Sequence, residues 1–252
     1  MVQHHHILTI NPDVYLSQLH LEMSGHLARL RTITQAIEDG SFISSANAPR
    51  PGDIVRLVMG IDESFLARSD QVANSRNHCF LDMIRSLIGY MDRMISVRRV
   101  AKQTMIVPDG GWSLDDALQA LQMRLEREYE IVVRDTTLSN PKKIAQFSSV
   151  SVSTRTAALQ YFDVRRCLEH HGGIPSKALS MSVLGFKVLA DGTPITSLPY
   201  QADKGTILEF HRTQSEITLP AAHPIKLADA DLEGVYHLIV DVIASEIHRD
   251  TF

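Results

Sequence analysis

From about Glu63 to Lys102 the chain carries one unbroken helical pattern. Phe80, Met83, Ile84, Leu87, Ile88, Met91, Met94 and Ile95 recur there at three- and four-residue intervals, so they share one apolar stripe. A stripe of that length needs other helices to cover it, and the chain supplies them. Pro12 opens a helix with Tyr15, Leu16, Leu19, Met23, Leu27, Leu30, Ile33 and Ile37 on its apolar positions, ending at Gly40. Ser41 to Gly52 is a polar connector with Pro49 and Pro51, and Asp53 caps a short helix through Met59. The break at Val107 to Gly111 is followed by Ser113 and Asp116, a capping-box spacing, ahead of Leu118, Leu121, Leu125 and Tyr129. Ser139-Asn140-Pro141 starts a further short helix, and Ser151 to His170 reads as another.

After Pro175 the pattern changes. Gly185 to Leu219 holds β-branched residues, an Asp191-Gly192 turn and short alternating apolar runs, which predicts a small β-rich insertion of hairpin type. Asp229 or Asp231 then caps a last helix with Leu232, Val235, Tyr236, Ile239, Val242, Ile243 and Ile247 on one side. The expected fold class is mainly α: a single domain over 1–252, a helical bundle with a β-hairpin-like insertion at 185–219.

Composition restricts function more than it assigns one. Hydrophobic residues at 44% and charged residues at 21% suit a soluble globular chain, and no apolar run reaches the length of a membrane span. The start, Met1 to Ile7, lacks the basic region and long apolar run of a signal peptide, and its histidines at 4–6 carry no assigned role. Only Cys79 and Cys167 are present, far apart in helical patterns, which fits reduced thiols and a cytoplasmic setting. CxxC and HExxH are both missing, so neither a metal nor a cofactor is expected. The net charge of −4 is uneven: Pro175 onward has 6 basic and 10 acidic residues, while Arg76–Lys102 has six bases against two acids. Arg134–Arg166 repeats that ratio. Such stretches suit RNA, and they equally suit solvated helix faces.

The densest chemistry lies at the end of the Ser151–His170 helix: Arg165-Arg166-Cys167-Leu168-Glu169-His170-His171-Gly172-Gly173. Arginine clamps phosphate and histidine moves protons near neutral pH. In an unbroken helix Arg166 shares a face with His170, and Arg165 with Glu169. Arg165 and His170 diverge unless the glycines unwind the last turn. Helix capping alone accounts for the same residues, since cations complement the dipole and glycine ends helices.

The run Arg165 to Ile174 resembles the signature of the HEPN superfamily: an Arg, often Asn next, three more residues and a His, frequently followed by a small or polar residue, Gly and an aliphatic. The order of a long helix, another helix and then the motif helix is similar to that family as well. The resemblance implies a helical bundle whose motif helices meet across a homodimer. It also implies a metal-independent endoribonuclease of toxin or host-defence type, with RNA as substrate and an antitoxin or other regulatory protein as partner. Arg165 and His170 take the Arg and His positions. Arg166 stands where Asn is usual, a departure that bears on catalysis more than on fold. The register Arg166 to His171 has the same spacing. On this resemblance His170 transfers a proton during attack of a 2′-hydroxyl on the adjacent phosphodiester, and Arg165 stabilises the phosphoryl oxygens. Arg166, His171 and Glu169 are supporting residues, and Arg76-Asn77-His78 is a second candidate RNA contact. Two further readings stay open: a non-catalytic HEPN-fold module for RNA, nucleotide or protein binding, and an unrelated helical domain in which the motif is a cap.

Three other features carry less. Asp82 and Asp92 interrupt a helical stripe rather than forming a spaced carboxylate pair. Asp109-Gly110-Gly111 has no GK[ST] after it and reads as a turn. Trp112 reads as a hydrophobic staple at a helix start.

Overall fold

The structure is a computed structural model that describes residues 10–39, 68–103, 113–195 and 205–250. The expected connector at 41–52, the short helix after Asp53, the break at 107–111 and Trp112 lie outside the described residues. The chain is mainly helical with one small antiparallel sheet. Helix α1 spans Asp13–Glu38, α2 Arg68–Ala101, α3 Leu114–Arg134, α4 Asn140–Ala145 and α5 Val152–His170. Strands β1 (Leu179–Ala190), β2 (Thr193–Pro194) and β3 (Leu208–Leu219) follow. The last helix begins as α6 (Asp229–His237), passes through a π-helical stretch (Leu238–Ala244) and resumes as α7 (Ser245–Arg249).

Helix α2 is the axis of the bundle, in contact with α1, α3, α4, α5 and the last helix. Its stripe is as periodic in space as in sequence: Phe80, Met83, Ile84, Leu87, Met91, Met94 and Ile95 are all at most 1% exposed. Tyr161 of α5 meets Phe80 edge to face at 6.0 Å, the arrangement that ring quadrupoles favour. Helix α1 adds Leu19, Met23, Leu30 and Ile37 to the same core. Helix α3 starts on the expected capping box, with Ser113 Oγ accepting the Asp116 N–H and the Asp116 carboxylate accepting the Ser113 N–H. It lies at the edge of the bundle: Val132 is buried, whereas Leu118, Leu121 and Leu125 border a groove of about 700 Å3 shared with Tyr15 and Tyr129.

The strands extend further than Gly185–Leu219. Strand β1 begins at Leu179, and its Met181, Ser182, Val183 and Leu184 are all buried. A strand buried on both faces shows no alternation, which is why its first half escapes a period-two reading. The sheet order is β2-β1-β3, antiparallel throughout, with Leu179 opposite Leu219 and Ala190 opposite Leu208. The Asp191-Gly192 turn forms as expected: both residues have positive φ, and Ala190 pairs with Thr193. That backbone matches the twist of a tight hairpin.

Helix α6 is capped from within rather than by its first residue. Ala228 precedes it, and the Asp231 carboxylate accepts the Ala228 N–H at 2.7 Å. Gly234 lets α6 approach β1, for a Cβ there would lie 2.8 Å from the Val183 Cβ. At the far end Asp250 accepts the Ser148 N–H and hydroxyl at 2.8 and 2.6 Å and pairs with Arg98 at 2.9 Å. This fastens the C-terminal helix to α2 and to the turn after α4. Among the described residues no helix is long and apolar enough to cross a membrane.

Candidate functional site at the end of helix α5

Helix α5 is positioned by its buried face. Ser151 Oγ accepts the Thr154 N–H at the start, and Ala157, Ala158, Tyr161, Val164 and Cys167 fill the core behind it. The Tyr161 hydroxyl donates to the Ser182 carbonyl at 2.6 Å, which locks the helix to β1. Burial raises the Cys167 thiol above its ordinary value, so it is an inert core group.

The helix keeps α geometry through His170, and the glycines act only after it. His171 caps it, Gly172 and Gly173 take φ of 60° and 71°, and the Cys167 carbonyl accepts the N–H groups of both His171 and Gly173. Arg165 and His170, five residues apart on an intact helix, therefore leave its axis about 140° apart. Arg165 turns to Glu169: Nε lies 2.9 Å from Oε2, in ion-pair contact but off the line for a hydrogen bond. The other Glu169 oxygen accepts from Arg85 Nη2 at 3.2 Å, and Arg85 also holds Asp82 at 2.9 Å. The result is a charge-balanced chain, Asp82–Arg85–Glu169–Arg165, joining α2 to α5. Burial pushes the Glu169 carboxyl up, but the two guanidinium groups outweigh it and hold the group below its ordinary value.

The remaining motif residues face water. Arg166 pairs with Asp163 at 2.6 Å on the surface. His170 and His171 are exposed, and no side-chain hydrogen bond or ion pair engages either among the described residues. The register Arg166–His171 therefore also joins a paired arginine to an exposed histidine, across the helix cap.

The second candidate cluster is divided. Arg76 makes a two-bonded pair with Asp229, 2.8 and 3.1 Å, and Asn77 Nδ2 donates to the Ile225 carbonyl at 3.1 Å, while His78 is exposed. The Ile225 N–H donates in turn to the Gly173 carbonyl, and the Ala222 N–H to the Pro175 carbonyl. Arg76 and Asn77 thus buttress the segment on which the motif loop rests. Sequence reasoning missed Arg85 as a partner of the motif. Its only signal is membership of the basic stretch, because the contact spans 84 residues.

Arg85 also borders a cavity of about 260 Å3 between α1 and α2, with Glu22, Ser86 and Arg93. Arg93 is held between the rings of Tyr15 and Tyr129, 5.8 Å from each centroid, and donates to Gln18. His26 Nε2 and Ser86 Oγ are 3.1 Å apart, and burial lowers the pKa of that imidazole. Among the described residues no group of three or more His, Cys, Asp or Glu side chains converges to hold a metal.

Comparisons with protein-family models, with curated proteins and with solved structures find no match.

Proposed function

We propose that this chain is an RNA-binding helical module of HEPN type whose contact surface is the C-terminal end of α5. One observation carries the reading: at a glycine-capped helix end, His170 and His171 are exposed and uncommitted among the described residues, beside Arg166, whose pair with Asp163 lies in solvent and is worth little. Exposed imidazoles and guanidinium groups are donors for phosphate and ribose oxygens, and the order α2, α3, short α4 and α5 suits the family's arrangement. The engagement of Arg165 by Glu169 favours binding over catalysis, since a neutralised guanidinium stabilises an extra phosphoryl charge poorly.

A ribonuclease is the second reading, favoured by the exposed His170. The 2′-hydroxyl would lose its proton to His170 as its oxygen bonds to phosphorus. The bond to the 5′-oxygen would break, and that oxygen would take a proton from His170 of a second copy, leaving a 2′,3′-cyclic phosphate. Arg165 would have to exchange Glu169 for the phosphate.

The deciding experiment mixes single-stranded and structured RNA in chelator with the wild type, His170→Ala and Arg166→Ala. RNA retention without cleavage, weakened in Arg166→Ala with a salt slope smaller by about one, supports the binding module. Cleavage that His170→Ala abolishes moves the protein to the second reading. Absence of both overturns the proposal.

A further inference from the structure

Among the described residues, strand β3 is an open edge. The backbone hydrogen bonds fix which of its residues face β1. Asp191 N–H donates to the Ile207 carbonyl, and both the N–H and C=O of Ser182 bond to α5 side chains rather than to β3. Odd-numbered residues of β3 therefore point their backbone groups at β1. Leu208, Phe210, Arg212, Gln214, Glu216 and Thr218 point theirs outward. Among the described residues nothing pairs with that side, and all six are exposed. Twelve consecutive partners run in one register without a bulge, and the strand contains no proline. Natural proteins normally interrupt or cover such an edge.

We propose that β3 pairs antiparallel with β3 of a second copy of this chain, centred on Gln214, joining two three-stranded sheets into one of six strands. A twofold axis normal to the sheet keeps each side chain on its own face, so residues of equal parity must oppose each other. Charge then selects among the centres. Centring on Arg212 opposes two guanidinium groups. Centring on Thr213 sets Phe210 against Glu216 and Glu209 against Ile217, and centring on Ser215 leaves Arg212 against Thr218. Centring on Gln214 sets Arg212 against the other copy's Glu216 twice, with Phe210 against Thr218 and Thr213 against Ser215. Opposite charges directly across a strand pair stabilise it, and like charges do the reverse. The outward groups of Phe210, Arg212, Gln214, Glu216 and Thr218 supply about ten interstrand hydrogen bonds in that register. Within one copy Arg212 is 58% exposed at 3.5 Å from Asp241, and Glu216 accepts from Gln160, so both side chains stand at the surface on the same face. This interface does not depend on the RNA reading.

The test is sedimentation equilibrium of the full chain, with wild type, Arg212→Glu and the swap Arg212→Glu/Glu216→Arg. The wild type is expected to reach twice the chain mass as concentration rises. Arg212→Glu weakens association by about tenfold or more, and the swap returns most of the loss. The swap restores neither the Asp241 nor the Gln160 contact, so recovery reports the cross-copy pair. Single cysteines give the register directly, because Cys79 and Cys167 are buried. Gln214→Cys is expected to form an oxidised covalent dimer, whereas Thr213→Cys and Ser215→Cys meet their own counterparts about 8 Å away, beyond disulfide reach. A wild type that stays monomeric overturns the proposal. So does crosslinking at 213 or 215 in place of 214, or a dimer that Arg212→Glu leaves intact and Gln214→Cys does not trap.

Discussion

Lys143 and Asp92 pair at 2.6 Å with side chains only 8% and 5% exposed. The contact joins α4 to α2 inside the core, where each charge is tolerable only because of the other. Burial holds the Asp92 carboxyl above its ordinary value, and Lys143 offsets that only in part. Lys143→Met should therefore destabilise by about 3–5 kcal/mol, while Asp92→Leu/Lys143→Met together should recover most of that loss. Urea midpoints of the two single variants and the double variant check this as a cycle. Glu169 is a second decisive carboxylate, since it occupies both Arg165 and Arg85. On the RNA-binding reading, Glu169→Gln releases Arg165, leaves Arg85 on Asp82 alone and removes one negative charge, so it should tighten RNA binding by about threefold at low salt, with a steeper salt dependence. Unchanged affinity in a filter-binding titration would detach these arginines from the RNA surface.

At the scale of the elements, the junction of α6 with β1 leaves no room for added volume at Gly234. Alanine is the better helix former than glycine by about 1 kcal/mol, yet Gly234→Ala places a methyl 2.8 Å from the Val183 Cβ. That neighbour is fixed to the backbone, so no rotamer change relieves it. The overpacking cost of about 1–3 kcal/mol should win, giving a net loss of stability in thermal or urea unfolding. The same junction shows which elements are legible in a sequence. The Ser113–Asp116 box, the Ser151 cap and the Asp191-Gly192 turn are local devices, and each forms where its residues stand. The first half of β1 is illegible because burial on both faces erases alternation. Most of the candidate site is illegible for another reason. Arg165–Glu169 follows from helical spacing, but Arg85–Glu169 and Arg76–Asp229 are tertiary pairs, and no short-range pattern encodes a contact 84 or 153 residues away.

At the scale of the whole molecule, two carboxylates that join separate elements, Asp250 and Glu169, give the fold an acid limit. Burial pushes the Asp250 carboxyl up, but bonds from Ser148 and Ser149 and the charge of Arg98 hold it below its ordinary value of 3.8. Glu169 is likewise held below 4.5. A carboxylate with a depressed value in the folded state binds fewer protons there than in the unfolded chain. Its stabilisation is thus complete above the ordinary value and is lost as pH falls through the folded one. Stability should decline on acidification below about pH 4.5, and Asp250→Asn should be less stable at neutral pH with a shallower decline. Unfolding free energies measured from pH 3 to 7 check both expectations. How Asp250 comes to lie over Ser148 depends on the stretch from Leu238 to Ala244. Its wider turns act as a phase shifter, so Gly234 can address β1 while Asp250 addresses α2 and the turn after α4. A π-helical turn holds one residue more than an α-helical turn, so removing one residue from that stretch should return it to α geometry with the later residues kept on their faces, whereas removing one from Asp229–His237 should turn everything after it by about 100°. The helix would keep its composition and lose its address: the spacing of its last twelve residues, more than their identities, decides what the C-terminus clasps.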